Sequence, residues 1–132
     1  MKALASSSKR QEKVKDIRSE LKLFFPSASF HISSKLGNDK LTIVISYTDG
    51  PSKTRVRNIT RQFSYSYLSG DSYINVSLEI NRKMSDKTKN LLLNEMKSIW
   101  KIKGHLKMLD YCPQVNSTVG YYVNTIFSMR DF

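Results

Sequence analysis

The sequence predicts a two-layer α+β fold, in which helices cover one face of a mostly antiparallel sheet. In several segments apolar residues alternate with polar ones, which is typical of half-buried strands. In three others apolar residues recur every three or four positions, which is typical of amphipathic helices. The predicted order of elements is α-β-β-α-β-α-β, and a chain of 132 residues is expected to form one domain, 1–132.

The first helix is predicted from Lys9 onwards, after a small, polar segment of residues 1–8 that we expect to be frayed. Apolar residues follow at helical spacing: Val14, Ile17, Leu21 and Phe24. Pro26 ends the helix, because the residue before a proline is disfavoured in the α region.

A β-hairpin follows, with Phe30 and Ile32 on its first strand and a turn at Gly37-Asn38-Asp39. Its second strand alternates through Leu41, Ile43, Ile45 and Tyr47. Asp49-Gly50-Pro51 then closes the strand, because glycine permits a positive φ and proline suits the first turn of a helix. A second helix is expected to bury Val56, Ile59 and Phe63.

A third strand region begins at the alternating residues Phe63, Tyr65 and Tyr67, turns at Ser69-Gly70-Asp71 and continues through Ile74, Val76, Leu78 and Ile80. Ser85 or Asp86 is the expected N-cap of a third helix. That helix contains Leu92, Leu93, Met96, Ile99 and Trp100, and Gly104 is expected to stop it.

The last segment is predicted to contain one more strand. Cys112-Pro113 is assigned to a loop, and alternation then runs through Val119, Tyr121, Val123, Thr125 and Phe127. Residues 81–132 thus form a helix-plus-strand extension of the preceding part.

Positive charge is concentrated in the predicted helices. The chain carries 22 Lys+Arg against 11 Asp+Glu, a formal net charge of +11. Residues 1–23 hold seven positive and three negative side chains, residues 51–62 hold four and none, and residues 81–107 hold eight and two. Such a field attracts polyanions or acidic surfaces. The candidate partner-binding residues are Lys9, Arg10, Lys53, Arg55, Arg57, Arg61, Lys87, Lys97, Lys101 and Lys103.

Two features of this surface each allow two interpretations. Lys53, Arg57 and Arg61 are four apart, so they share one helix face and repel each other by a few tenths of a kcal/mol per pair. They indicate either a solvated face or a surface that meets a polyanion. The tyrosines beside the turn, which are Tyr65, Tyr67 and Tyr73, either stack on unpaired bases or pack across strands.

No catalytic centre is predicted. His31 and His105 are far apart, and no third group supports a pair between His105 and Cys112. No metal-binding or nucleotide-binding pattern is present, so no metal or cofactor is expected. The lone cysteine forms no intramolecular disulfide, and without a signal segment or a membrane span the chain is expected to act in the cytoplasm.

Short motifs over about residues 12–80 resemble a known family. Ile17-Arg18-Ser19-Glu20-Leu21-Lys22 with Phe25-Pro26, then Phe30-His31-Ile32, then Tyr47-Thr48-Asp49-Gly50-Pro51, are similar to the large polyvalent protein-associated domain 29. The resemblance implies proteins of phages and conjugative elements, which accompany incoming DNA or meet host defences. The basic second helix and the extension after Asp86 depart from the family pattern.

The sequence therefore predicts a small, non-enzymatic phage or mobile-element protein. We expect its basic helical face to bind nucleic acid (DNA or RNA) or a nucleic-acid-containing host effector complex, and to interfere with host defence in the manner of an anti-CRISPR or antirestriction protein. No membrane partner is expected. The alternative is a protein–protein inhibitor or adaptor that docks on an acidic protein surface without touching nucleic acid.

Overall fold

A computed structural model describes the backbone of residues 2–132 and the side chains of residues 9–68 and 70–132. The backbone is helical from Lys2, earlier than the predicted start at Lys9, and the predicted fraying of residues 1–8 stays a prediction. The chain divides into two compact units, Met1–Lys83 and Met84–Phe132. The single domain expected from the chain length stays a prediction, and each unit is described by itself.

The first unit contains two helices and a four-stranded sheet. In chain order its elements are α1 (Lys2–Phe24), β1 (His31–Leu36), β2 (Lys40–Thr48), α2 (Lys53–Thr60), a short 3₁₀ turn (Arg61–Phe63), β3 (Tyr67–Ser69) and β4 (Ser72–Lys83). The strands lie in the order β1-β2-β4-β3. Both helices pack on the face that carries the alternating apolar residues, which confirms an α+β fold.

The central strand pair is parallel, whereas the two outer pairs are antiparallel. The β1–β2 hairpin is confirmed, with His31 opposite Ser46. β2 and β4 run parallel from Lys40 opposite Asn75 to the end of both strands. A parallel pair needs a long crossover, and here α2 and β3 lie within that crossover.

The core of the first unit lies between this sheet and the two helices. The predicted alternation of β2 is confirmed, because Leu41, Ile43 and Ile45 are completely buried. α1 contributes Ile17 and Leu21 at helical spacing, and α2 contributes the predicted Val56. Thr60 is equally buried, and its hydroxyl is paired because it donates to the carbonyl of Val56 at 2.8 Å.

The second unit packs two helices around a small core. Its elements are α3 (Asp86–Trp100), β5 (Tyr111–Cys112), β6 (Ser117–Thr118) and α4 (Val119–Met129). Ser85 is the N-cap of α3, as predicted, because its side chain accepts a hydrogen bond from the Thr88 amide. The buried apolar side chains are Leu92, Met96, Cys112, Val119, Val123 and Phe127.

The prediction of a final strand at residues 119–127 is wrong, because this segment is helix α4. Thr118 caps the helix, and its hydroxyl accepts from the Tyr121 amide at 3.2 Å. Val119, Val123 and Phe127 are buried four residues apart, whereas the intervening Tyr121 is exposed. Residues four apart lie on one face of a strand and also on one face of a helix, so this pattern fits both structures.

The predicted stop of α3 at Gly104 is also wrong. The helix ends at Trp100, and Lys101 takes the left-handed conformation with φ 53°. The Ile102 amide then donates to the carbonyl of Lys97 at 2.9 Å, which satisfies a carbonyl of the last turn. Trp100 packs against Tyr122 with ring centroids 4.8 Å apart, so it belongs to the core of this unit.

Candidate nucleic-acid interface

The Asp49-Gly50-Pro51 turn sets the start of α2. Asp49 and Gly50 both have left-handed backbones, with φ of 55° and 61°. Such a pair reverses the chain at the end of β2, and glycine and aspartate tolerate it better than most residues. Ser52 follows as the N-cap of α2 and accepts from the Arg55 amide at 3.4 Å. The turn therefore fixes where the cations of α2 begin.

One buried and one partly buried side chain hold this turn. The Tyr47 hydroxyl donates to the carbonyl of Pro51 at 2.8 Å. Arg82, on β4, donates from Nε to the Asp49 carbonyl at 2.7 Å and from Nη2 to the Gly50 carbonyl at 2.8 Å. Three consecutive carbonyls thus have donors that come from β2 and β4.

Burial changes the pKa of both holding residues. Burial raises the pKa of Tyr47 to about 12, and the positive charge of Arg82 opposes this rise in part. Burial also lowers the pKa of Arg82, against the effects of Tyr47 and Asp49. Arg82 remains charged at neutral pH because the ordinary pKa of arginine is far higher. It is therefore committed to the turn and is not part of a partner surface.

α1 and α2 meet where Arg55 lies over the ring of Phe25, 5.0 Å from its centroid. Phe25 follows α1 directly, and its amide donates to the Leu21 carbonyl, so it continues the helical spacing. Residues three and seven positions earlier on that spacing are Lys22 and Arg18. The side of α1 that faces α2 therefore carries positive charge.

The basic and the acidic side chains of α1 lie on different sides of the helix. On one side the α1 basic row consists of Lys15, Arg18 and Lys22, which are all exposed and three or four residues apart. On the other side an acidic row consists of Glu12, Asp16 and Glu20, which are four residues apart. The basic row lies towards α2, because it shares its side with Phe25.

The α2 cation row, which is Lys53, Arg57 and Arg61, is confirmed as exposed. α2 itself ends at Thr60, so Arg61 begins the 3₁₀ turn, but its φ of −58° keeps it close to helical geometry. Within the described residues these three side chains form no ion pair with a carboxylate. Residues two apart point to nearly opposite sides of a helix. Arg57 follows Arg55 by two residues, so the row faces away from α1.

Lys9 and Arg10 lie on a different part of α1. The Lys9 ammonium donates to the Leu68 carbonyl at 2.8 Å and lies 5.4 Å from the centroid of Tyr67. Arg10 acts electrostatically on the same tyrosine. Both residues therefore meet β3 and do not extend the α1 basic row.

Lys13 is a buried cation that the sequence analysis missed. Its side chain is 7% exposed, donates to the Phe63 carbonyl at 3.1 Å and lies 3.5 Å from the centroid of Tyr65. Burial lowers its pKa, while Asp16 and Glu12 raise it. Lys13 stands four residues before Ile17, on the buried stripe of α1, and this spacing was the signal for its position.

The three candidate stacking tyrosines have different surroundings. Tyr67 is only 8% exposed, and its buried hydroxyl has no hydrogen-bond partner among the described residues. Tyr65 is 59% exposed, but Lys13 occupies one face of its ring. Tyr73 is 66% exposed and lies opposite Leu68 on the sheet face away from the helices. Only Tyr65 and Tyr73 therefore offer ring surface to a base.

A profile of the family described as large polyvalent protein associated domain 29 matches residues 8–131. The chain belongs to this family. The match extends well beyond residues 12–80, so α3 and α4 are part of the family domain and the segment after Asp86 is no addition to it. No curated protein and no solved structure matches the chain.

The remaining candidate cations of this family member lie in the second unit. Lys87 is exposed in the first turn of α3, and Lys97 is half-buried in its last turn. Lys101 caps the helix, and Lys103 is exposed just beyond it. They form a separate set from the cations of α1 and α2, which belong to the first unit.

The residues considered for catalysis are Cys112, His31 and His105. Cys112 is buried, and its thiol donates to Gln114 Oε1 at 3.1 Å. His31 and His105 are both exposed. Among the described residues no three His, Cys, Asp or Glu side chains come together as a metal-binding group. No helix of the described part is both long and apolar enough to cross a membrane.

Proposed function

We propose that this protein binds nucleic acid through the α1 basic row and the cations of α2, as a non-enzymatic protein of a mobile genetic element. The observation that carries the proposal is that the α1 basic row lies on the side of α1 where Phe25 meets Arg55 of α2, while the α2 cation row is exposed on the other flank of α2. Phosphates are regularly spaced anions, and each one neutralised by Lys or Arg releases a counterion. The acidic row of α1 lies on the other side of that helix and does not interrupt this surface.

The proposed biological setting rests on what the family resemblance implies. It implies a protein that accompanies the incoming DNA of a phage or conjugative element or meets host defences, so the proposed target is nucleic acid or a host defence complex that contains nucleic acid. The protein would act in the cytoplasm, where these complexes operate. Its positive charge argues against a DNA mimic, because a mimic must be negative.

The first experiment measures binding to labelled single-stranded DNA, duplex DNA and RNA by fluorescence anisotropy at several salt concentrations. We expect affinity to fall steeply as salt rises, with a slope set by the number of phosphates contacted. Absence of binding to all three probes at low salt would overturn the proposal.

The second experiment locates the surface by charge reversal. Arg57→Glu with Arg61→Glu, and separately Arg18→Glu with Lys22→Glu, should each weaken binding at least about tenfold, because each removes two phosphate contacts. Folding should stay nearly intact, since all four side chains are exposed. The matched control is Lys35→Glu with Lys40→Glu, which makes the same change of charge on the β1–β2 hairpin.

The control separates a localised surface from a general effect of charge. If the hairpin variant lost as much affinity as the helix variants, binding would depend on net charge alone and the proposed surface would be wrong. If a helix variant unfolded, as judged by circular dichroism, that row would have a structural role instead. The alternative function, docking on an acidic protein surface, is favoured by the edge of β4 that faces away from β2.

A further inference from the structure

One edge of β4 carries unpaired backbone groups. β4 runs from Ser72 to Lys83, but β3 pairs with only its first three residues. On its other side β4 pairs with β2 from Asn75 to Lys83. Beyond Ile74 the side of β4 that faces away from β2 therefore has no partner among the described strands.

The hydrogen bonds identify the groups on this edge. The Asn75 amide donates to the Asp39 carbonyl, and the Lys83 carbonyl accepts from the Asp49 amide, so the odd-numbered residues of β4 bond towards β2. The even-numbered residues then direct their N–H and C=O groups away from β2. Among the described residues no backbone or side-chain group bonds to the main chain of Val76, Leu78 or Ile80 on that side. These three residues are the open edge of β4.

The α2 cation row lies on the same side of the unit as this edge. α2 packs on β4, and α1 crosses the sheet: near its start Lys9 meets β3, and just after its end Phe25 packs on Phe30, which precedes β1. Arg55 turns towards α1 through Phe25, and the α2 cation row turns the other way. The row therefore stands on the flank of α2 beyond which β4, after Ile74, has no neighbour among the described strands.

The spacing of this row fits an added strand. Four residues of a helix rise about 6 Å, and two residues of a strand rise about 6.6 Å. Side chains on one face of a strand beside β4 would thus meet Lys53, Arg57 and Arg61 in turn. Acidic side chains at every second position would neutralise the row, which no described carboxylate of this chain does.

We propose that the open edge of β4 binds an extended segment of another protein, which adds a strand to the sheet and carries Asp or Glu at alternate positions facing the α2 cation row. Backbone bonds to Val76, Leu78 and Ile80 would hold the segment, and the cations would select its side chains. The site goes beyond the proposed nucleic-acid function, because it uses backbone groups that a phosphate chain does not need.

Hydrogen exchange followed by NMR tests the edge itself. In the free protein at low concentration, the amides of Val76, Leu78 and Ile80 should exchange much faster than those of Ser77, Glu79 and Asn81, which bond to β2. A synthetic peptide of seven residues with Glu alternating with Val or Thr should slow the three fast amides. Slow exchange of all six amides in the free protein at every concentration would overturn the proposal.

The peptide also separates competing occupants. Protection of the three amides that grows with protein concentration, without peptide, would mean that a second copy of this chain covers the edge and would overturn the proposal. A peptide of the same composition with its Glu residues in one block should bind at least about tenfold more weakly, because only alternation matches the row. Equal affinity for both peptides would contradict the strand geometry.

Variants distinguish this site from the nucleic-acid surface. Leu78→Pro removes an N–H of the open edge but none of the bonds to β2, so it should weaken the alternating peptide at least about tenfold. It should leave oligonucleotide binding unchanged. Arg18→Glu with Lys22→Glu should weaken oligonucleotide binding and leave peptide binding unchanged.

Two controls complete the design. Ser77→Pro, one residue away, removes a bond to β2 and should disrupt the sheet, which would confirm the assignment of the two sides of β4. If Leu78→Pro also unfolded the protein, a peptide N-methylated at alternate backbone positions would replace it. Undiminished binding of that peptide would overturn the proposal.

Discussion

Each unit of this protein contains a glycine beside the start of a helix, but the two glycines are required for different reasons. Gly50 has a φ of 61° and comes shortly before α2. Gly120 lies in the first turn of α4, and its amide donates to the Met108 carbonyl at 2.7 Å. A Cβ at Gly120 would lie 2.9 Å from that same oxygen. Gly50 is required because its backbone takes a positive φ, and Gly120 is required because another segment approaches it closely.

This difference decides what a sequence can reveal. A left-handed turn has a chemical signature, and Asp49-Gly50-Pro51 shows it plainly. Close approach between distant segments leaves no signature at either segment, because it depends on how the chain packs. The position of Gly50 was therefore predicted correctly, whereas nothing in the sequence singled out Gly120.

The largest expected effect is that of Gly50→Val. A β-branched residue at this φ is strained, and its Cβ would lie 3.3 Å from the ring of Tyr47. We expect a loss of about 3 kcal/mol or more in the free energy of unfolding, measured by urea denaturation. A loss below about 1 kcal/mol would mean that the turn readjusts at little cost.

Gly120→Ala should have a smaller effect, of about 1–3 kcal/mol, because the added methyl group must push the Met108 carbonyl away. The matched control is Gly37→Ala, where a Cβ would meet the Lys40 carbonyl at an ordinary 3.5 Å. Its effect should stay within about 0.5 kcal/mol. Equal losses in the two alanine variants would contradict the role given to close approach.

The two glycine variants also test whether the units unfold together. If Met1–Lys83 and Met84–Phe132 form one cooperative domain, both variants should shift a single transition. If the units unfold separately, Gly120→Ala should leave the exchange rates of β2 and β4 amides unchanged.

The stability of the first unit should also depend on alkaline pH. The pKa of Tyr47 is about 12 in the folded state, above its ordinary value of 10.0, because the phenol is buried. Neutral Tyr47 therefore contributes stability that is fully present below pH 10 and is lost as pH rises to 12. The loss should be about 1–3 kcal/mol, and urea denaturation of the parent chain and Tyr47→Phe at pH 9 and pH 11.5 measures it.

Tyr47→Phe should itself be less stable at pH 9, because the Pro51 carbonyl loses its donor. It should then show a smaller further loss at pH 11.5 than the parent chain. An identical alkaline loss in both proteins would assign it to other residues.

Local patterns predict most of the first unit, whereas one of them predicts the wrong element in the second unit. The β1–β2 hairpin, the turn at Gly50 and the buried Val56 follow from alternation, turn chemistry and helical spacing. The segment 119–127 was misread because alternation was weighed without Tyr122 and Ile126, which are partly buried and complete a helical stripe.

The candidate site was predictable only in part. Lys53, Arg57 and Arg61 are exposed, as their spacing indicated, whereas Lys9 meets β3 and Tyr67 is buried. The open edge of β4 could not be predicted, because it depends on β4 pairing with β2 and on β3 being short. Both are properties of the assembled sheet and of no single segment.

The parallel pairing of β2 with β4 also bears on how the chain folds. Each residue of β2 meets a β4 partner 35 positions further along the chain, whereas the β1–β2 hairpin joins near neighbours. Closing so long a loop costs entropy before any contact offsets it, so the hairpin should form early and β4 should join late. Until then the growing sheet ends at β2, whose backbone edge on the side of β4 is unpaired. The chains should therefore aggregate most when the protein is synthesised slowly and at high concentration, because β4 then joins later.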